Sequence, residues 1–419
     1  MTEQMNVPKL RFGEFDGCWK NSSMKEISKI NQGLQIPISE RHTELKEGRY
    51  FYITNEFLRP NSTTKYYIEN PSDRVVCEAR DILMTRTGNT GQVVTNIAGV
   101  FHNNFFKIDY TDDVDKHFLV EFLRLPITQS TILRYAGAST IPDLNHGDFY
   151  RIKLALPTLP EQQKIASFLS KVDEKIALLT EKKDKLTEYK KGVMQQLFNG
   201  KWEEQDGQLI FIPPTLRFKA DDGSEFPDWI EKRLGKVFTR IRRKNKENNQ
   251  NVLTISAQQG LINQEKYFNK SVSAKDVTGY YLLESGDFAY NKSYSKGYPM
   301  GAIKRLNNYD KGVVSTLYIC FGLNQDQGFV SDFFEHYFES GLQNRDLSKI
   351  AQEGARNHGL LNISVDEFFK DVKLLTPSHD EQIKIANFIS TINQKIDLTN
   401  SELEKAKEWK KGLLQQMFV

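Results

Sequence analysis

The chain has 419 residues, 39% of them hydrophobic and 26% charged, with a formal net charge of +3. That is ordinary for a folded protein of two or three domains, and a net charge this small neither points to nor excludes nucleic acid. No apolar run reaches 18 residues, and Cys18, Cys77 and Cys320 lie too far apart for a disulfide framework or a zinc site. The first residues, Met-Thr-Glu-Gln-Met-Asn, are not a basic-then-apolar leader, so a cytoplasmic location without a membrane partner is expected.

In chain order, Pro8 to Phe12 and Asp16 to Trp19 form an opening tag around Leu10-Arg11-Phe12. Residues 20 to 156 read as mixed α/β. Short strands are expected at Tyr50–Ile53, Asp81–Met84, Gln92–Val94 and Ile152–Leu156, between turns rich in Gly and Asn. A helix is expected from Phe118 to Leu133, broken at Pro126. Glu161 to Phe198 then reads as one long helix. Ile165, Val172, Leu179, Leu186 and Val193 recur every seven residues, a period that asks for a helical partner. Residues 199 to 213 read as a polar linker.

The second half repeats the first. Leu216-Arg217-Phe218 and Trp229 match the opening tag, and Gly286 to Tyr290 matches the strand led by Asp81. Gly312 to Phe321 reads as one strand and Phe329 to Gly341 as a helix, while Glu353 to Asn362 corresponds to the loop from Ala136 to Asn145. Glu381 to Phe418 lies on Glu161 to Phe198 at a shift of 220, without a gap and with 18 of 38 positions identical. Its seam is Ile385, Ile392, Thr399, Ala406 and Leu413. A repeat of this length outranks local composition, and the simplest pairing is an intramolecular coiled coil. The expected fold is therefore α+β (mixed α/β): two repeated globular regions separated by two long antiparallel helices. The expected boundaries are 1–156, 157–200, 201–374 and 375–419.

Motifs for catalysis are missing. There is no Asn-Pro-Pro-Tyr or Asp-Pro-Pro-Tyr, no phosphate-binding Gly-x-x-x-x-Gly-Lys-Ser/Thr, and no metal-ligand spacing among the seven His residues. No catalytic residue and no cofactor bound by this chain are expected.

This plan resembles the specificity subunit of type I restriction–modification systems. The resemblance rests on Leu156-Pro-Thr-Leu-Pro-Glu-Gln-Gln-Lys-Ile-Ala166, its echo from Glu381, the two Lys-Lys-Gly-x-x-Gln-Gln-x-Phe helix ends, and the segments Gly286–Ser293 and Gly312–Tyr318. It implies that each globular region is a target-recognition domain reading one half of a split double-stranded DNA site, and that the helices set the unread spacer. It also implies two modification subunits docked on the helices, with two restriction (motor and nuclease) subunits completing the enzyme. S-adenosylmethionine, ATP and Mg2+ would be used by those partners. The helix residues expected to meet partners are Glu161, Gln162, Phe168, Gln195 and Gln196, then Glu381, Gln382, Phe388, Gln415 and Gln416.

Three groups are candidates for DNA contact. Arg240, Arg242, Arg243 and Lys244 belong to a run of five cations in seven residues, suited to phosphates, although a solvated loop reads the same way. Ser139 and Thr140 in one half, and Arg356, Asn357 and His358 in the other, sit in loops of small residues, and Arg and Asn pair bidentately with guanine and adenine. Arg86, Asn89 and Thr90, with Asn291, Lys292, Ser293, Tyr294 and Lys296, follow the matched strands; plain connecting turns would use the same residue types. The other class of function this architecture serves is a scaffold that bridges proteins through its coiled coil without touching DNA. The purified chain alone is expected neither to methylate nor to cut DNA. Turnover of S-adenosylmethionine by the isolated chain would overturn that expectation.

Overall fold

The computed structural model describes residues 6–59, 61–138, 140–206, 208–214, 216–268, 276–324, 328–351 and 361–419. Its contacts divide into two units, residues 1–180 with 400–419, and residues 181–399. Among the described residues no helix is long and apolar enough to cross a membrane.

The first unit is organised on an antiparallel sheet in the order Ser28–Gln32, Phe105–Tyr110, Ile82–Thr85, Val93–Thr95. Ile82–Thr85 is buried along its whole length, as an interior strand covered on both faces must be. The helices Lys116–Arg124 and Pro126–Ala136 lie in the same unit. Asp115 caps the first by accepting the Phe118 N–H at 2.9 Å. The break falls at Leu125, which Pro126 forces out of helical geometry while serving as the first residue of the next helix. A second sheet, Tyr66–Glu69, Arg49–Ile53, Gly99–Phe101, Val76–Cys77, contains one parallel pairing. Lys20–Ser23 pairs with Lys153–Leu156 and so brings the two ends of the globular region together.

The second unit repeats the main sheet strand for strand: Phe238–Arg240, Ile319–Leu323, Phe288–Asn291, Ala302–Arg305, all antiparallel. Ile230–Arg233 pairs with Lys373–Thr376 as its closing pair. Around this sheet the copies differ, since the outer strands here form two separate pairs, Leu253–Ser256 with Gly260–Asn263 and Tyr281–Glu284 with Lys311–Val314. Two expectations are corrected. Residues 199–213 are not a plain linker: Lys201–Gln205 and Gln208–Ile212 form a hairpin, and Phe211 stacks on Trp229 at 6.2 Å. Gly312–Phe321 is not one strand. A turn closed by Tyr318 N–H to Ser315 O splits it into Lys311–Val314 and Ile319–Leu323, which join different sheets.

The two long helices run Leu159–Leu197 and His379–Met417, 39 residues each, or about 58 Å of rod apiece. Each unit takes a piece of both. In the first, Ile165, Leu169 and Val172 share a core with Leu413 and Met417, and Phe168 meets Trp409 edge-on at 6.0 Å. In the second, Val193, Met194 and Leu197 share a core with Ile385, Ile389 and Ile392.

Both helix starts are locked by the tags. Arg11 makes a two-pronged pair with the Glu161 carboxylate at 2.7 and 2.8 Å, and Trp19 donates its indole N–H to Glu161 at 3.2 Å. Arg217 does the same to Glu381 at 3.0 and 2.7 Å. Phe12 packs on Phe168 and Phe218 on Phe388, at 5.7 and 5.5 Å. The Glu381 side chain is fully buried and the Arg217 side chain is 14% exposed. Breaking such a pair from one side leaves a buried charge, at about 3–5 kcal/mol. Arg217→Met is therefore expected to destabilise the second unit on that scale in urea unfolding. Asp221→Asn, which removes an exposed partner of Lys384, should change stability by less than about 1 kcal/mol. Equal midpoints for the two variants would show that the tag does not hold the helix.

Candidate DNA-reading loops and helix-end surfaces

In the first unit the chain leaves the strand Ile82–Thr85 and turns back over residues 86–91. Gly91, at φ +92°, donates its N–H to Thr85 O at 2.8 Å. This turn is tied to the segment 142–144, which the sequence offered as a separate loop. Leu144 N–H donates to Arg86 O at 2.9 Å, the Thr90 hydroxyl lies 2.7 Å from Pro142 O, and the Thr87 hydroxyl bonds Asp143. The two candidate groups thus form one edge.

The same knot recurs in the second unit. Leu361 N–H donates to Lys292 O at 3.0 Å, as Leu144 does to Arg86. The cation's own head also turns inward in both copies. Arg86 Nε lies 3.4 Å from Leu144 O, and Lys292 Nζ lies 3.5 Å from Ile363 O.

Several candidates make contacts within the unit. Arg86 pairs with Asp143 at 2.7 Å and sits over the Phe106 ring, so its guanidinium is spent on closing the edge. Thr90 is buried between backbone carbonyls and offers no donor outward. Arg243 is held by Asp287 at 2.7 Å and Glu284 at 3.1 Å, and burial raises the Asp287 carboxyl while Arg243 opposes that shift. Lys244 donates to Gly279 O at 2.6 Å and lies over Tyr281. Asn291 accepts the Ser293 N–H at 3.1 Å, which shapes that turn. Asn89, Thr140, Arg242, Tyr294 and Lys296 are exposed; Arg240 is half-buried. Arg242 and Lys296 make no ion pair among the described residues. Ser139, Arg356, Asn357 and His358 lie outside the described residues.

The partner residues divide in the same way. Glu161 and Glu381 are buried against the tag arginines, so neither is available to another chain. Gln162 is buried too. It donates to Asp113 O and Pro157 O at 2.9 Å each and accepts from Asp115 N–H at 2.8 Å. Gln382 donates to Pro377 O at 2.9 Å and accepts from Val330 N–H at 3.0 Å. Phe168 and Phe388 are half-buried under the tag phenylalanines.

Gln195, Gln196, Gln415 and Gln416 stay exposed, on helix ends whose neighbours are buried. Phe418 stacks on Phe118 at 5.1 Å, and Phe198 meets Phe333 at 5.9 Å. Beside each end lies a cavity. One, of about 570 Å³, is lined by Leu125, Pro126, Ile176, Leu414, Gln415 and Phe418. The other, of about 800 Å³, is lined by Met194, Gln195, Phe198, Asn199, Gly297 and Ser340. Met194, Gln195 and Phe198 are the repeats of Leu414, Gln415 and Phe418.

One cluster escaped the sequence reading. Lys410 grips Glu121 at 3.2 Å and Asp173 at 2.7 Å within the first unit. The only signal in the sequence was a buried-face Glu in the helix Lys116–Arg124.

Residues 17–188 match the family model of the type I restriction modification DNA specificity domain. Over 399 residues the chain is 25% identical to the type I restriction enzyme MjaVIII specificity subunit of Methanocaldococcus jannaschii, covering 89% of this chain and 86% of that one. Its fold is similar to the crystal structure of the type I restriction-modification system S subunit from M. genitalium, with TM-score 0.58, 15% identity and 99% of each chain covered.

The exposed and the engaged arginines predict different phenotypes. Arg242→Ala should weaken duplex binding and lower the salt slope by about one unit, with stability unchanged. Arg243→Ala leaves Asp287 short of a partner and should cost about 1–3 kcal/mol in stability. An unchanged salt slope for Arg242→Ala would remove it from the interface.

Proposed function

We propose that this chain, which belongs to the specificity subunits of type I restriction–modification systems, reads a split DNA target with one edge from each unit. As in that family, it is the DNA-recognising, non-catalytic member of a complex. The observation that supports a divided reading is the repeated knot, Arg86 with Leu144 and Lys292 with Leu361, which lies beside exposed polar side chains in each copy, Asn89 in one and Tyr294 and Lys296 in the other. In this reading Asn89 and Thr140 meet one half-site, while Tyr294, Lys296 and Arg242 meet the other. Ser139 is assigned to the first half-site and Arg356, Asn357 and His358 to the second.

The helix ends suit partner docking. Two equivalent cavities flanked by Gln195 and Gln415 favour two copies of one partner, the adenine-modifying subunit, with two restriction subunits joining afterwards. S-adenosylmethionine, ATP and Mg2+ belong to those partners, and the assembly works in the cytoplasm. The bridging-scaffold reading shares the helix ends but gives no role to the exposed edges.

Two outcomes test the proposal by methylation mapping of DNA modified by the reconstituted complex. Tyr294→Ala with Lys296→Ala should relax one half of the motif and leave the other half intact. A good base contact is worth about 1–3 kcal/mol of discrimination. Separately, four residues inserted after Leu179 add about 6 Å of helix, against about 3.4 Å per base pair. The spacer should lengthen by one or two base pairs with both half-sites kept. An active insertion mutant with its spacer unchanged would show that the helices do not set the distance.

A further inference from the structure

The repeat provides a comparison that no single copy could give. Gln162 accepts the Asp115 N–H and Gln382 accepts the Val330 N–H. Asp115 therefore corresponds to Val330, and Glu121, six residues on, corresponds to His336. The shift of 220 makes Lys190 the counterpart of Lys410 and Asn393 the counterpart of Asp173. In the first unit the lysine lies between two carboxylates, Glu121 and Asp173. In the second unit both carboxylates are gone, replaced by His336 and Asn393, while the lysine is kept.

Each unit has a polar cavity at this place, of about 220 Å³ in the first, where Glu121 and Asp173 line it, and of about 210 Å³ in the second. Lys190, Arg305, His336, Asn307, Asn308 and Asn393 are among the residues that line it. Lys190 has no hydrogen-bond or ion-pair partner among the described residues. His336 is 5% exposed and its Nε2 has no partner; the buried Arg305 Nε has none either. The acidic groups of the wall are already matched. Glu335 accepts from Asn307 at 2.7 Å and Arg305 at 3.3 Å, and Glu339 accepts from Lys304 at 2.5 Å and from Tyr298. Burial, and then the charge of Lys190, push the His336 imidazole down to about 4.

We infer that this cavity is a binding site for a small oxyanion of the phosphate class, which supplies the negative charge that Glu121 and Asp173 supply in the other copy. The cavity is many times the roughly 10–15 Å³ that one water needs on this measure, enough for phosphate with part of its hydration. A charge-assisted bond from Lys190 would hold the ion, with side-chain amides completing its shell. The site does not depend on DNA reading.

Isothermal titration of the full chain with inorganic phosphate, in DNA-free chloride buffer, tests it. One saturable site per chain is expected, with a phosphate-dependent rise in Tm. Lys190→Gln should weaken binding at least tenfold. Asn393→Asp, which restores the carboxylate of the first copy, should abolish phosphate binding and raise Tm in phosphate-free buffer. Absence of saturable binding, binding unaltered in both variants, or tighter binding of acetate than of phosphate would each overturn the assignment.

Discussion

A carboxylate buried at the first turn of a long helix is tolerable only if a fixed cation meets it. Glu161 and Glu381 are such carboxylates, and Arg11 and Arg217 meet them with two bonds each. Arg suits this place because its planar fork matches a carboxylate and its charge is permanent. Negative charge at a helix start also suits the helix dipole. The glutamine that follows extends the lock: Gln162 bonds backbone on both sides of the helix start, at Asp113, Asp115 and Pro157. Tag and helix start are thus fixed to one another, and the closing strand pair ends three residues before the helix.

Much of this was legible in the sequence because duplication doubles every signal. The first helix seam and the break at Pro126 were read from one copy alone, while the second seam, the matched strands at Asp81 and Gly286 and the recurrence of the Leu-Arg-Phe tag came from comparing one half with the other. What the comparison could not show was which polar residues point inward. A Glu-Gln pair opening a helix looks like surface, and only the arginine 150 or so residues earlier in the chain makes it core. The internal partners of Arg86, Arg243 and Lys244 were hidden for the same reason, since an internal carboxylate or carbonyl is invisible until the chain is folded. The strands Lys201–Gln205 and Gln208–Ile212 were missed because the polar, charged start of the segment, with Glu203 and Glu204, reads as a linker. The Ser315–Tyr318 turn hid inside a β-branched, aromatic run with no Gly or Pro to mark it.

The two copies keep the main sheet and vary the strands and loops around it. The main sheet keeps its strand order, and its interior strands, Ile82–Thr85 and Phe288–Asn291, are almost wholly enclosed. A changed volume there is felt by every neighbour. The outer strands and the loop rims carry no such constraint, and there the copies share little beyond the knot that anchors them. That division leaves surface chemistry free to change while the frame that aims it is kept.

The first unit draws its core from residues far apart in the sequence. Leu413, Met417 and Phe418 pack with Phe118, Ile165 and Leu169. During synthesis at about 5–20 residues per second, roughly 220 residues must be made between the helix segment ending at Thr180 and its partner beginning at Asn400, a delay of about 10 to 45 s. For that interval the nascent first unit has a gap in its apolar surface.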